Sequence, residues 1–504
     1  MILRSRNIGL VLSYTNTFLS MICGLFMSSF LLKQLGDTDY GIYQTMSSFA
    51  NYLVLLEFGT GTVLSRNLVA SKTRGEGPLQ AERHISTIWT IMTVLSAAIL
   101  AVAVVFYFSI PAIYADTLDA QQILLGQRIF LYIIVFLVSS FVSQTLNGIA
   151  LAYEHYTFAS SLNIVKLVLR TGLITALVIG LDQVIVISMV DAAIGVGLAV
   201  FSYVYCCRNF NVKIHYRGFD KAILKASLPL CIAIFLQAII NQSNNIVGKF
   251  VLGVMSGPEE VSLYSVALFV FSTFSSLSTI PVSLYVPQVT KNVMAGLEGL
   301  DLTKTLVQPC RLIVLVSGSV LFGFCGCGRQ FVNIIYGAER WLAWPMALML
   351  SAPSFINMSN AVILNVLDAK NKRIIRSYIL MITTAINIVL TIVGIRVFGI
   401  LAAAAATGLA TLLQVVIMNI YYQKAIGIKV VYLFRQIFKG ILLYQILGAA
   451  GGLLVGWLIP NVYVAFVAAG MTYVAIAFGG YLLFGKTEEE AAMIGKFLRR
   501  FKKA

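Results

Sequence analysis

Two cations four residues apart, Lys166 and Arg170, stand inside the apolar stretch 159–179. On a helix that spacing puts both on one face. A charge in hydrocarbon is costly, and a spanning helix keeps one only where it faces a bundle interior or a wet cavity. If the helix enters near residue 158, then at about 1.5 Å per residue Lys166 lies ~12 Å deep and Arg170 ~18 Å deep. Neither depth allows easy snorkelling. Two readings follow. The pair lines a passage for a phosphate-bearing cargo, which a guanidinium fork can grip bidentately. Alternatively the charges are neutralised internally, for example by Asp191.

Other polar groups sit in apolar surroundings. Gln237, Asn241 and Asn245 recur at every fourth residue and form one stripe. Such amides either bond sugar hydroxyls in a wet cavity or glue neighbouring helices together. Asn357, with Ser354 and Asn360 after Pro353, has the same two readings, and the proline is expected to break its helix near the centre. Ser13, Asn16, Thr17 and Ser20 make the first span polar along one stripe. Glu57 and Asp191 are the acids inside expected spans; either carboxylate can couple transport to H⁺ or Na⁺, or Glu57, near the cytoplasmic end, pairs with Arg66 on the loop side. Arg128 and Arg311 fall near span ends and read as interfacial. His84, His155 and His215 read as solvated.

The elements that carry these groups are spanning helices. Of 504 residues 59% are hydrophobic and 11% charged, with a mean hydropathy of +0.89. Too little polar surface remains to cover a soluble fold. The class is an all-α polytopic membrane protein. Apolar runs of spanning length number about fourteen, from 8–32 and 41–62 to 437–458 and 462–485, with the least certain division at 397–399. Alternating them from a cytoplasmic N-terminus places 28 of the 36 cations inside and six outside. That bias predicts both termini in the cytoplasm. The net charge of +16 is then loop charge orienting helices, and the tail from Lys486 reads as a basic segment against anionic lipid.

A sparse internal repeat at an offset of about 217 pairs Leu35 and Gly36 with Leu252 and Gly253, and Tyr43 with Tyr264 after a short insertion. The expected layout is therefore two six-helix lobes around a central cavity plus two C-terminal helices. The divisions are 1–210, 211–425 and 426–504, the last including the basic tail.

Several chemistries find no residues here. No phosphate-cradling GxxxxGK[ST] loop occurs, and no extramembrane segment exceeds roughly thirty residues, so a catalytic domain is not expected. The cysteines and histidines show no metal spacing, and no cofactor is expected beyond a coupling ion.

Four stretches carry a resemblance. FLLKQLGDTDYGIYQTM, LLEFGTGTVLSRNL (with Gly59, Gly61 and Arg66), LNGIALAYEHY and LNVLDAKNKR resemble the O-antigen and capsule flippase branch of the multidrug/oligosaccharidyl-lipid/polysaccharide exporter superfamily. The family often has aspartate where this chain has Glu57. The resemblance implies alternating access around a cationic cavity, a bacterial inner membrane, and a cargo of undecaprenyl-pyrophosphate-linked oligosaccharide for polysaccharide or lipopolysaccharide synthesis. It adds Arg66 to the cargo-binding set. It also implies a polysaccharide polymerase and a chain-length regulator as pathway partners, and no nucleic acid. The competing readings are an ion-coupled multidrug exporter of the same superfamily, which wants acids rather than cations in its cavity, and a membrane-bound polysaccharide-assembly enzyme.

Overall fold

The computed structural model describes residues 2–55, 59–75, 77–153, 155–210, 218–370, 373–487 and 490–491, with some helix side chains, among them those of 2–14 and 236–247, outside the description. All regular structure among them is helical. Large apolar side chains such as Phe108, Leu181 and Trp457 face outward, while Ser86, Thr87 and Thr145 are enclosed. That inverted pattern suits lipid as the solvent. The chain is a multi-pass membrane protein.

The chain divides into two compact units, Met1–Ser265 and Val266–Ala504. The first holds α1 (Ile2–Leu55), α2 (Thr60–Thr73), α3 (Pro78–Ile113), α4 (Ala120–Ala152), α5 (Tyr156–Leu181), α6 (Ile185–Phe210), α7 (Lys221–Met255) and the start of α8 (Pro258–Met294). The second holds the rest of α8, then α9 (Gly299–Tyr336), α10 (Ala343–Ser359), α11 (Ala361–Ala369), α12 (Arg373–Phe398), α13 (Leu401–Tyr421), α14 (Val430–Phe438), α15 (Leu442–Leu458) and α16 (Val462–Gly480).

Among the described residues ten helices are long and apolar enough to cross a membrane, or up to twelve if each of two bent pairs is one span. The fourteen expected are not reached by that count. One reason is that α1 joins two expected spans across a kink at Gly36, whose φ of 77° only glycine adopts without strain. Another is that much of the seventh run lies on side chains of α7 outside the description. The bent pairs are α10 with α11, at 48°, and α14 with α15, at 50°. The first bend falls at Asn360 and not at Pro353, which α10 accommodates within its length. Asn360 is held there by donating its amide N–H to Asn419 Oδ1 at 2.8 Å.

Two apolar clusters form the interiors. In the first unit Val63, Leu64, Ile85, Ile88, Leu146 and Ile149 draw α2, α3 and α4 together. In the second, Leu306, Ile313, Val362, Val366, Leu433 and Ile437 join α9, α11 and α14. Helices in lipid gain little from apolar contact alone and rely on close packing. The α2–α4 crossing illustrates this. A Cβ on Gly61 would lie 2.4 Å from the Gln144 carbonyl oxygen, and one on Gly148 would lie 2.2 Å from that of Gly61. The Thr60 and Thr145 hydroxyls meet at 3.0 Å beside them.

Arg311 is a second fixed point. It is buried and donates to the Gln436 and Lys439 carbonyls at 2.8 Å each and to Gly485 O at 3.0 Å. It also grips the Glu490 carboxylate at 2.7 and 3.1 Å. The residue read as interfacial is thus an enclosed clasp, because the carbonyls that end α14 and follow α16 need a donor. Burial pushes the Glu490 carboxyl up, but the hydrogen bonds from Arg311 and the Thr487 N–H hold it below the ordinary carboxylate value.

Gly61→Val or Gly148→Val should cut the folded yield several-fold, read by size-exclusion of the detergent-extracted protein, while Gly172→Ala, with open space at its Cβ, should not. Arg311→Ala should cost about 3–5 kcal/mol by orphaning a half-buried acid and three carbonyls. In the native protein the Glu490 contribution is present above the unfolded carboxyl pKa of about 4.3. It is lost as pH falls through the lower folded value. Thermal denaturation of the wild type should therefore show an acid-side loss that Glu490→Gln removes.

Candidate functional site

The site is built on α5, which carries Lys166 and Arg170 one turn apart and rests on α1 and α6. Arg170 reaches α6, where its Nε lies 2.5 Å from Asp191 Oδ1 and its Nη2 2.9 Å from Oδ2. The same Nη2 donates to the Tyr43 hydroxyl of α1 at 3.3 Å. The internal pair with Asp191 is therefore present, in the fork geometry that a planar guanidinium favours. Asp191 is the more enclosed partner, 12% exposed against 32% for Arg170. Arg170 thus keeps one open side and ties α1, α5 and α6 at one point.

Lys166 is held differently. Its Nζ stands 4.8 Å from the centroid of the Phe136 ring, a cation–π arrangement. It borders a cavity of about 70 Å³ with Ser140, Ser143, Gln144 and Asn147 of α4 and Asn163 of α5. At roughly 30 Å³ per water, this chamber has room for about two water molecules and not for a sugar ring. The α4 residues recur at intervals of three and four, so they form one polar face that the sequence reading did not single out. The signal was there: four polar groups at helical spacing inside an apolar span.

Arg66 lies on α2, away from that chamber. It lines a cavity of about 710 Å³ with Asn67, Arg74, Gln80, His84 and Asp220. His84 is thus a cavity residue. His155 is enclosed too, its Nδ1 2.9 Å from the Tyr205 hydroxyl and its ring edge-on to Phe210. The amide stripe Gln237, Asn241 and Asn245 lies on α7 with its side chains outside the described residues, and Glu57 and His215 also lie outside them. Asn357 is half-buried on α10 in the second unit. The fold brings Lys166, Arg170 and Asp191 to one region of the first unit and places Arg66 in another.

The pairing can be tested by a cycle. Asp191→Ala should destabilise the fold by roughly 2 kcal/mol once the partial exposure of Arg170 is allowed for, read as a lower melting temperature. Arg170→Met should also destabilise. The double change should cost less than the two losses added, measured by differential scanning fluorimetry.

Residues 9–293 match the sequence model of a family described as polysaccharide biosynthesis protein. Over 186 residues the chain is 24% identical to a protein of Haloferax volcanii described as the probable low-salt glycan biosynthesis flippase Agl15. That match covers 36% of this chain and spans 38% of the length of the curated relative. The fold is similar to that of the lipid II flippase MurJ in an inward closed conformation. The TM-score is 0.72 at 14% identity, covering 94% of this chain and 99% of that one. It is also similar to an inward-facing multidrug resistance MATE family transporter of the MOP superfamily, with a TM-score of 0.59 at 11% identity, covering 84% and 99%.

Proposed function

We propose that this chain, which belongs to the polysaccharide biosynthesis protein family, is a flippase for lipid-linked glycan. The cargo on this reading is an undecaprenyl-pyrophosphate-linked oligosaccharide. It moves from the cytoplasmic to the periplasmic face of a bacterial inner membrane, by alternating access, for O-antigen or capsule synthesis. The polymerase and chain-length regulator of such a pathway would take the product. The observation that carries the reading is Lys166, an ammonium inside an apolar span beside a small polar chamber. The similarities to a glycan flippase and a lipid II flippase support it.

In this scheme the lipid tail stays in the bilayer and the diphosphate meets Lys166. The Ser and Asn/Gln groups of α4 offer donors and acceptors to phosphate oxygens and sugar hydroxyls. Asp191 supplies the coupling: a proton on its carboxylate weakens the bond to Arg170 and frees a second cation for the diphosphate. Glu57 remains a candidate for the same task. A drug exporter is less well supported, since the chamber presents a cation where a cationic drug needs an acid.

Lys166→Ala should abolish surface polysaccharide in a strain lacking its own flippase, trap lipid-linked units on the cytoplasmic face, and leave the protein in the membrane. Lys166→Arg should keep partial function. Normal polysaccharide from Lys166→Ala, or robust efflux of a cationic dye by the wild type, would sink the reading.

A further inference from the structure

The short helix α14 keeps one face uncovered among the described residues of the second unit. Its nine residues span about 13 Å, too little to cross a bilayer, and it meets α15 at a 50° bend. Val430, Leu433 and Ile437 turn into the core. On the other side Val431, Arg435 and Lys439 recur at every fourth residue through the helix end, and all three are exposed. A short helix with an apolar face inward and cations outward lies in the membrane interface, with its charges at headgroup level.

The chain after α16 adds to that face. Arg311 takes the Lys439 carbonyl at 2.8 Å and the Gly485 carbonyl at 3.0 Å. There the backbones touch: a Cβ on Gly440 would lie 2.8 Å from Gly485 Cα, and one on Gly485 would lie 2.1 Å from Gly440 O. Lys439 and Lys486 flank the contact, and both are exposed. The turn that leads into it presents Leu483 and Phe484, each 74% exposed. Phe484 also stacks on Tyr444 of α15, with ring centroids 6.2 Å apart. Three cations and a bare apolar edge thus meet at one place. Acids are sparse around it. No Asp or Glu occurs from 369 to 487. Glu490, drawn to the same spot, has both oxygens on Arg311, and Glu488 and Glu489 lie outside the described residues.

We propose that this face is a binding site for one anionic glycerophospholipid. The phosphate sits among Arg435, Lys439 and Lys486, which offer a guanidinium fork and two ammonium groups. The acyl chains run along Leu483 and Phe484. The apolar edge favours a lipid over a soluble phosphate, which could not cover it. The cations favour an anionic headgroup over a zwitterionic one. The site differs from the basic tail, because its cations are positioned by α14 and the Arg311 clasp rather than by residues beyond 486. It does not depend on the cargo.

The test is native mass spectrometry of the purified full-length protein in detergent, titrated with palmitoyl-oleoyl phosphatidylglycerol and, separately, with the matching phosphatidylcholine. Phosphatidylglycerol should bind roughly tenfold tighter. Arg435→Gln, Lys439→Gln and Lys486→Gln should each weaken it about fivefold, and the triple change tenfold or more, as the loss of cations beside an anionic headgroup implies. Val431→Glu sets an acid on the same exposed face without disturbing the core and should give a comparable loss. Leu483→Ser with Phe484→Ser removes the apolar edge, leaves the charge alone, and should also weaken binding. Size-exclusion identifies any variant that fails to fold. Two charge-matched controls should bind as the wild type does: Arg208→Gln/Lys221→Gln/Lys225→Gln, exposed cations of the first unit, and Arg499→Gln/Arg500→Gln/Lys502→Gln of the tail. Equal binding of the two lipids, a face triple that binds like the wild type, or an equal loss from either control overturns the proposal. Glycerol phosphate binding as tightly as the lipid makes this a site for soluble anions and overturns it too.

Discussion

A full charge placed in hydrocarbon must be matched, and the described interior of this protein is arranged around that requirement. Burying an Arg or Lys at a helix centre costs about 2.5–3.5 kcal/mol on insertion scales, and three cations meet the demand in three ways. Arg170 is forked onto Asp191 with Tyr43 in support. Lys166 lies over an aromatic face at the edge of a small polar pocket. Arg311 is enclosed by three main-chain carbonyls and a carboxylate. The difference among them is a difference of role. Arg311 has no open side and is structural. Arg170 is paired but still partly exposed. Lys166 has a ring and polar uncharged groups against it among the described residues of its chamber, with the Asp191 and Arg170 charges close enough to act on it.

The second constraint is close approach of backbones. In lipid, apolar side chains gain little by leaving their solvent for each other, so small residues and hydroxyl contacts hold helices together. This gives physical content to two of the stretches that carried the family resemblance. Gly61 in one and Gly148 in another are opposite faces of a single crossing, where neither position has room for a Cβ. Gly36, in a third, breaks α1 where the Leu–Gly pair stands. The apparent repeat partner, Gly253, sits within continuous α7, and the comparable break comes four residues later at Gly257, with φ 104°. The shift is the insertion needed to align Tyr43 with Tyr264.

Much of this was legible in the sequence, and what was not has a common cause. Apolar length is a one-dimensional quantity, so the class and several span boundaries could be read, though not the number of spans. Even the doubtful division at 397–399 matches the end of α12 at Phe398 and the start of α13 at Leu401. Where a side chain meets its partner depends on which helices become neighbours. Asp191 could be named as a partner for Arg170 because α5 and α6 are consecutive. Glu490 lies 179 positions from Arg311, and nothing local announces that contact. The α4 polar face was present as a pattern, but polar groups at helical spacing also occur as helix glue, and only the fold sets Lys166 beside this one. The break at Asn360 was misplaced to Pro353 because a proline advertises a kink, whereas an asparagine bonded across to another helix does not.

The position of the small chamber bears on how it could open. α4 packs extensively against α6, and Gly195 of α6 lets Phe136 and Ser139 of α4 come close. α5 leans chiefly on α1 and α6 and touches α4 little. The chamber therefore lies at the weakest seam among these helices, and the Arg170–Asp191 bond fastens α5 to α6 beside it. A chamber that admits only water in this arrangement must widen before a sugar can enter, and widening at that seam requires α5 to move relative to the α4–α6 pair. The bond opposing the movement joins the cation and the acid assigned to cargo and coupling in the proposed cycle. One protonation at Asp191 would then do two things together: loosen the fastening that keeps the chamber small, and release the guanidinium to meet the diphosphate.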